Sequence, residues 1–206
     1  IQKAVSQPLR LATLNRFSPS QRYTQAQISP YFWPNGKRPE REDWKQLSQG
    51  KFRDFKLKVG GLVEKPVELS LLEIRALGKD EHITMHHCIQ GWSGIAQWRG
   101  MPMKMLIDLV KPKPSAMTVV FFSFGEGLYG GVYYDTQSLE NVLKPECLLA
   151  YEMNGEPLPD EYGAPLRLRV ANQLGYKRVK CIERLECIES RTQFGEGGGG
   201  TKEADA

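Results

Sequence analysis

The chain predicts a mixed, β-rich α+β fold, and three observations carry that expectation. Apolar and polar residues alternate over short stretches: Phe55, Leu57 and Val59 flank Lys56 and Lys58, the period-2 pattern of a half-buried strand. Helical spacing recurs only in brief runs, clearest at Met103, Leu106, Ile107 and Val110. The two patterns are interspersed, without the regular strand–helix alternation of a doubly wound sheet.

Taken in order, residues 1–50 are polar and poorly periodic, with prolines at Pro19, Pro30, Pro34 and Pro39. They read as an extended arm packing on the domain, with one short helix over about 40–47. A strand follows at 55–59, punctuated by Gly60-Gly61. Ser70 with Glu73 three positions on is a capping box that opens a short helix to about Leu77. Ile83, Met85 and His87 alternate again and lead into the segment 88–94. Pro102 stands at a helix start, and apolar residues at helical spacing run to Val110. Residues 118–124 and 148–153 are buried strands, the second followed by the hairpin dipeptide Asn154-Gly155. Strands at 166–170 and 179–188 complete a domain spanning 51–190. Residues 191–206 are glycine-rich with little apolar content to bury, and read as a flexible tail.

Composition narrows the function. The 206 residues are 40% hydrophobic and 10% aromatic, which suits one folded domain. The longest apolar runs, 118–124 and 147–151, fall well short of the roughly 18–20 residues that cross a bilayer, so no membrane span is expected in this chain. The net charge of +4 is mild and its cations are scattered among acids, so no nucleic-acid partner is expected. Cys88, Cys147, Cys181 and Cys187 show no CxxC spacing and read as reduced thiols rather than a disulfide framework. A start at Ile1 rather than methionine suggests a mature or excised piece of something longer.

The densest cluster of chemically capable residues is 86–93, His-His-Cys-Ile-Gln-Gly-Trp-Ser. Cys88 sits where a strand gives way to a glycine-containing turn, so its thiol can point into a cleft and ligate a metal, which would hold it deprotonated. Three other readings stand beside that one. Cys88 is a small buried hydrophobe; or His82, His86 and Cys88 hold zinc, although an extended segment does not bring the two histidines together as one helical turn would; or Cys88 is a nucleophile with His86, which points the same way along a strand while His87 does not. A second constellation lies near the other end. Arg167, Lys177, Arg178 and Lys180 are four cations within fourteen positions, beside turns at Gly163 and Gly175. Guanidinium forks, an ammonium and exposed backbone N–H groups are the parts of a phosphate-binding corner. A solvated basic edge strand is the alternative.

Several motifs occur together in one order: Cys88-x-x-Gly91-Trp92-Ser93, the stretch Leu-Leu-Ala-Tyr-Glu-Met-Asn-Gly-Glu-Pro-Leu-Pro at 148–159, Gly-Ala-Pro-Leu-Arg at 163–167, and Gly175-Tyr176-Lys177-x-x-Lys180. Over residues 28–190 the chain resembles the molybdopterin-binding oxidoreductase domain of sulfite oxidases, plant-type nitrate reductases and the bacterial periplasmic methionine sulfoxide reductase catalytic subunit. The resemblance implies a sulfite-oxidase-type fold and a molybdenum–molybdopterin cofactor. Cys88 would be the metal-ligating thiolate, and Arg167, Arg178 and Lys180, with Lys177, would hold the cofactor phosphate. Tyr31, Phe32 and Asn35 resemble an aromatic, glycine-ended segment that contacts the pterin. Ser123, His86 and Tyr162 complete the expected cofactor contacts, Tyr162 standing where the family commonly has histidine or asparagine.

Two departures bear on substrate and partner. Residues 89–93 supply none of the cations that receive sulfite in sulfite oxidases, which favours a sulfoxide or N-oxide. Trp92 and Trp98 are candidate walls for such a pocket, or core residues. Neither a dimerisation module nor a haem domain follows in these residues, so electrons must come from a redox partner such as a cytochrome or a quinone-linked membrane protein. The resemblance favours a periplasmic setting. The alternative to two-electron oxygen-atom transfer on a small substrate is a non-catalytic member that binds a pterin, another anion or a protein.

Overall fold

The computed structural model describes residues 23–88, 90–127, 131–170, 173 and 175–190. The arm before residue 23 and the tail after residue 190, expected from the sequence, lie outside them.

Among the described residues, ten strands form two five-stranded sheets. The first has the order β2 (Val67–Ser70), β1 (Lys56–Gly61), β10 (Ile182–Ile188), β5 (Thr118–Glu126), β6 (Val132–Ser138). Only the β1–β10 contact in it is parallel. The second runs from β3 (Asp80–His87) through β4 (Ser93–Pro102) to β7 (Cys147–Met153), all antiparallel. Beyond β7, β8 (Glu156–Pro157) and β9 (Arg167–Val170) pair with its two halves. Four short helices are interspersed: α1 (Glu42–Gln49), α2 (Leu71–Leu77), α3 (Met103–Val110) and α4 (Leu139–Val142). This is the mixed α+β architecture that the alternating patterns predict.

Local rules account for most boundaries. Ser70 Oγ accepts from the Glu73 N–H and Glu73 Oε2 accepts from the Ser70 N–H, so the capping box opens α2. Pro102 ends β4 and caps α3 rather than occupying its first turn, and Met103, Leu106, Ile107 and Val110 are all buried. Asn154 and Gly155 are both left-handed, with φ of 52° and 85°, the paired positive values of a type I′ hairpin. The first helix begins two residues later than expected because Arg41, bonded to Asp43 and Glu183, remains extended. The final strand begins at Ile182, not 179. Cys181 turns left-handed at φ 51°, and the residues around it pair sideways: Cys181 N–H with Gly163 O, and Leu168 N–H with Val179 O.

One large apolar core joins the sheets. It takes Leu57, Val59 and Leu185 from the first, Met101, Leu149 and Leu168 from the second, and Leu106 and Ile107 from α3. Each fully buried leucine contributes roughly 1.5–3 kcal/mol. The helix α1 brings Trp44 into this core, where its Nε1–H donates to Ala164 O. The opposite face of the second sheet is also buried but chemically different. It carries Thr84, His86, Trp98, Arg167 and Arg169, covered in part by Phe32. That polar face is where the site forms.

Candidate active site

Cys88 lies at the tip of the β3–β4 hairpin, just beyond the His87–Ser93 pair. Its N–H donates to Trp92 O and its carbonyl accepts from Gly91 N–H. Gly91 closes the turn at φ 89°, a conformation that costs glycine least. The thiol is half-buried and opens on a cleft of about 570 Å³, within the range that holds a cofactor. Asn35 and Gly36, Gln90, Ser123 within β5, and the loop carrying Gly175, Arg178 and Lys180 also line it. The cleft therefore collects hairpin, strand and loop ends from both sheets.

Beneath it is a buried cationic cluster. Arg167 and Arg169 alternate along β9 and so share one face. Arg167 donates to Tyr162 O at 2.9 Å and Asn35 Oδ1 at 3.3 Å. Arg169 donates to Thr84 Oγ1 at 3.0 Å. Arg169 and Arg178 both direct Nη1 at His86 Nδ1, at 3.2 and 3.0 Å. A guanidinium only donates, so Nδ1 must accept and the neutral His86 ring carries its proton on Nε2. Burial, then the charges of Arg167, Arg178 and Arg169, drive the His86 pKa far down and hold it neutral. Burial lowers Arg167 to about 10 and, with the charge of Arg167, lowers Arg178 to about 9. Trp98 supports the cluster with its ring face, 4.3 Å from the Arg169 guanidinium and 5.1 Å from that of Arg167.

These residues fit a bound anion. Among the described residues no carboxylate pairs with Arg167 or Arg169, and their buried Nε atoms and His86 Nε2 lack a partner. Unpaired buried charge is costly, and an anion would relieve it. Also among the described residues, no three His, Cys, Asp or Glu side chains converge on one point. His82 instead bonds Asp80 at 3.0 Å, which leaves the three-ligand zinc reading without its set.

The structure separates the residues that sequence grouped. Cys88, Asn35, Ser123, Arg178 and Lys180 line the cleft, while Arg167 and His86 lie buried behind them. Ser123 Oγ donates to Lys180 O at 2.7 Å and accepts from Gly125 N–H at 2.9 Å, and Lys180 Nζ donates to Asn35 O and Glu161 O. Lys177 departs from its expected role: its ammonium is buried against Asp135 at 2.8 Å and does not reach the cleft wall. Phe32 is core, ringed edge-to-face by His86, Trp92, Trp98 and Tyr162. Tyr162 donates its hydroxyl to Phe32 O at 2.8 Å, and Tyr31 is exposed. Trp98 is fully buried and walls nothing. Sequence reading missed Arg169; its signal was Arg-Leu-Arg at 167–169, two arginines on one strand face with leucine on the core face.

A half-buried thiol on a cleft backed by buried arginines suits a class of protein that binds an anionic group. The chain belongs to one such family: the family described as "Oxidoreductase molybdopterin binding domain" matches residues 45–194. It is 34% identical over 145 residues to the protein-methionine-sulfoxide reductase catalytic subunit MsrP of Gluconobacter oxydans, covering 65% of this chain and 46% of the relative. It is 32% identical over 149 residues to MsrP of Xanthomonas axonopodis pv. citri, covering 68% of this chain and 46% of the relative. The chain thus spans about half the length of these relatives. The crystal structure of the sulfane dehydrogenase SoxCD from Paracoccus pantotrophus shares the fold, with a TM-score of 0.56 and 23% identity over 67% of this chain and 39% of that one. Molybdenum–molybdopterin is the cofactor that family membership implies.

Proposed function

We propose that the domain reduces a sulfoxide by two-electron oxygen-atom transfer, methionine sulfoxide being the substrate class its relatives' names carry. The observation that supports this reading best is the Cys88 thiol on the cleft, backed by the buried arginines. No cation occurs in residues 89–93 to receive an anionic substrate. In balance, the sulfur–oxygen bond breaks, two protons and two electrons are consumed, and thioether and water form. The bound cofactor supplies the redox chemistry. Cys88 would ligate the metal as its thiolate, Arg167, Arg178 and Lys180 would hold the phosphate, and the neutral His86 would offer its Nε2–H as a donor. Burial, then the charge of Arg178, lowers the His87 pKa as well.

Electrons would come from a redox partner at a membrane, in keeping with relatives named as catalytic subunits, and the domain would work in the periplasm. Among the described residues no helix is long and apolar enough to cross a membrane. The test is dye-linked turnover by the cofactor-loaded chain. Reduced viologen should be consumed with N-acetylmethionine sulfoxide, and sulfite should not be oxidised. Cys88→Ser should lose more than the roughly 10–100-fold that removing an outer-shell metal partner costs. Full loading without sulfoxide turnover, or sulfite as the better substrate, would overturn the reading.

A further inference from the structure

The turn Gly175–Lys177 closes one wall of the cleft, and three side chains of one strand bond to it. Tyr133, Asp135 and Gln137 are spaced by two along β6 and so share a face. Tyr133 Oη donates to Tyr176 O at 3.0 Å, Asp135 Oδ1 accepts from Lys177 Nζ at 2.8 Å, and Gln137 Nε2 donates to Lys177 O at 3.2 Å. Both members of the ion pair are 2% exposed, and neither lines the cleft. The turn is set tightly: a Cβ at Gly175 would lie 2.5 Å from His86 Nε2. Arg178 N–H bonds Gly175 O, and its guanidinium reaches His86 Nδ1 at 3.0 Å.

We propose that Asp135 and Lys177 are positioning residues for the anion corner, holding the Gly175–Lys177 turn, and with it Arg178, against His86 of the second sheet. The pair links β6, the edge strand of the first sheet, to the turn that packs on His86 of the second. Burial pushes the Asp135 pKa up, and the Lys177 ammonium opposes that push. Well-packed apolar replacements for a buried ion pair are often neutral or stabilising. Stability alone therefore explains little of its presence, whereas a fixed geometry explains the pair and both flanking hydrogen bonds.

The inference rests on the cofactor reading of the cleft, and the test separates the two. Wild type and Asp135→Leu/Lys177→Met are produced in a host that makes the pterin, and each is scored for thermal midpoint and for molybdenum and pterin per chain. The expected result is a midpoint near wild type with cofactor content reduced about tenfold or more, the scale of losing an outer-shell partner. Full content at an unchanged midpoint overturns the inference alone. An empty wild type overturns the cofactor reading and the inference with it. If the double variant does not fold, Gln137→Met decides: it leaves the pair and removes one tether, so a severalfold loss of content supports positioning and full content overturns it.

Discussion

At the scale of single residues, the site gathers several cations in partly or fully buried positions. Lys180 shows the consequence most measurably. Burial, then the nearby Arg167 charge, with Arg38 adding to it and Glu161 opposing, lowers its pKa from 10.5 to about 8. Between those values the unfolded chain binds a proton that the folded chain does not, so this residue makes the cofactor-free chain more stable as pH rises from about 8 to 10.5. A bound phosphate favours the charged ammonium, so retention should weaken over the same interval. Thermal denaturation of the cofactor-free chain across that range checks the sign. Lys180→Met should remove its share of the rise, and superimposable profiles for variant and wild type would contradict the assignment. Cys88, Arg167, Arg178 and Lys180 were legible in the sequence because their motifs name them. Arg169 and Asp135 were not, because a strand arginine and a strand aspartate look like solvent-facing charges until the fold buries them.

At the scale of elements, the loop between β9 and β10 decides the shape of the cleft, and Gly175 is its tightest point. A methyl group there would meet His86 Nε2 at 2.5 Å and His87 O at 3.1 Å. Gly175→Ala should therefore displace the turn, lower the thermal midpoint by the equivalent of about 1–3 kcal/mol as overpacking does, and lower cofactor content as well. Gly60→Ala, where an added Cβ meets nothing within 4 Å, is the matched control. Equal cofactor content in both variants would show that the close approach at Gly175 has no bearing on binding. Elements with clean periodicity, such as α3 and β5, were readable from apolar spacing alone. The strand β6 was not, since its inward face carries Tyr133, Asp135 and Gln137, whose burial is explained only by the distant turn they hold. The sideways pairing before β10 escaped notice for a similar reason: Val179 and Cys181 have strand composition but bond to residues 163–168.

At the scale of the whole molecule, two sheets meet so that a hairpin tip bearing a thiol, a strand bearing Ser123 and a cationic loop face one cleft. The α+β class follows from composition and periodicity, but the two-sided burial of the second sheet does not. A face that is polar yet covered breaks the rule that polar residues mark the surface, and it is tolerable only where its groups are hydrogen-bonded or matched by opposite charge. The site was legible mainly through the coincidence of motifs separated by up to about 90 residues along the chain, and the structure supplies the reason they coincide. The measurement that tests the central claim most directly is metal and pterin analysis of the chain purified from a host able to make the cofactor. Molybdenum and pterin near one per chain is the expected result. Zinc in their place, or a folded chain with neither, would contradict it.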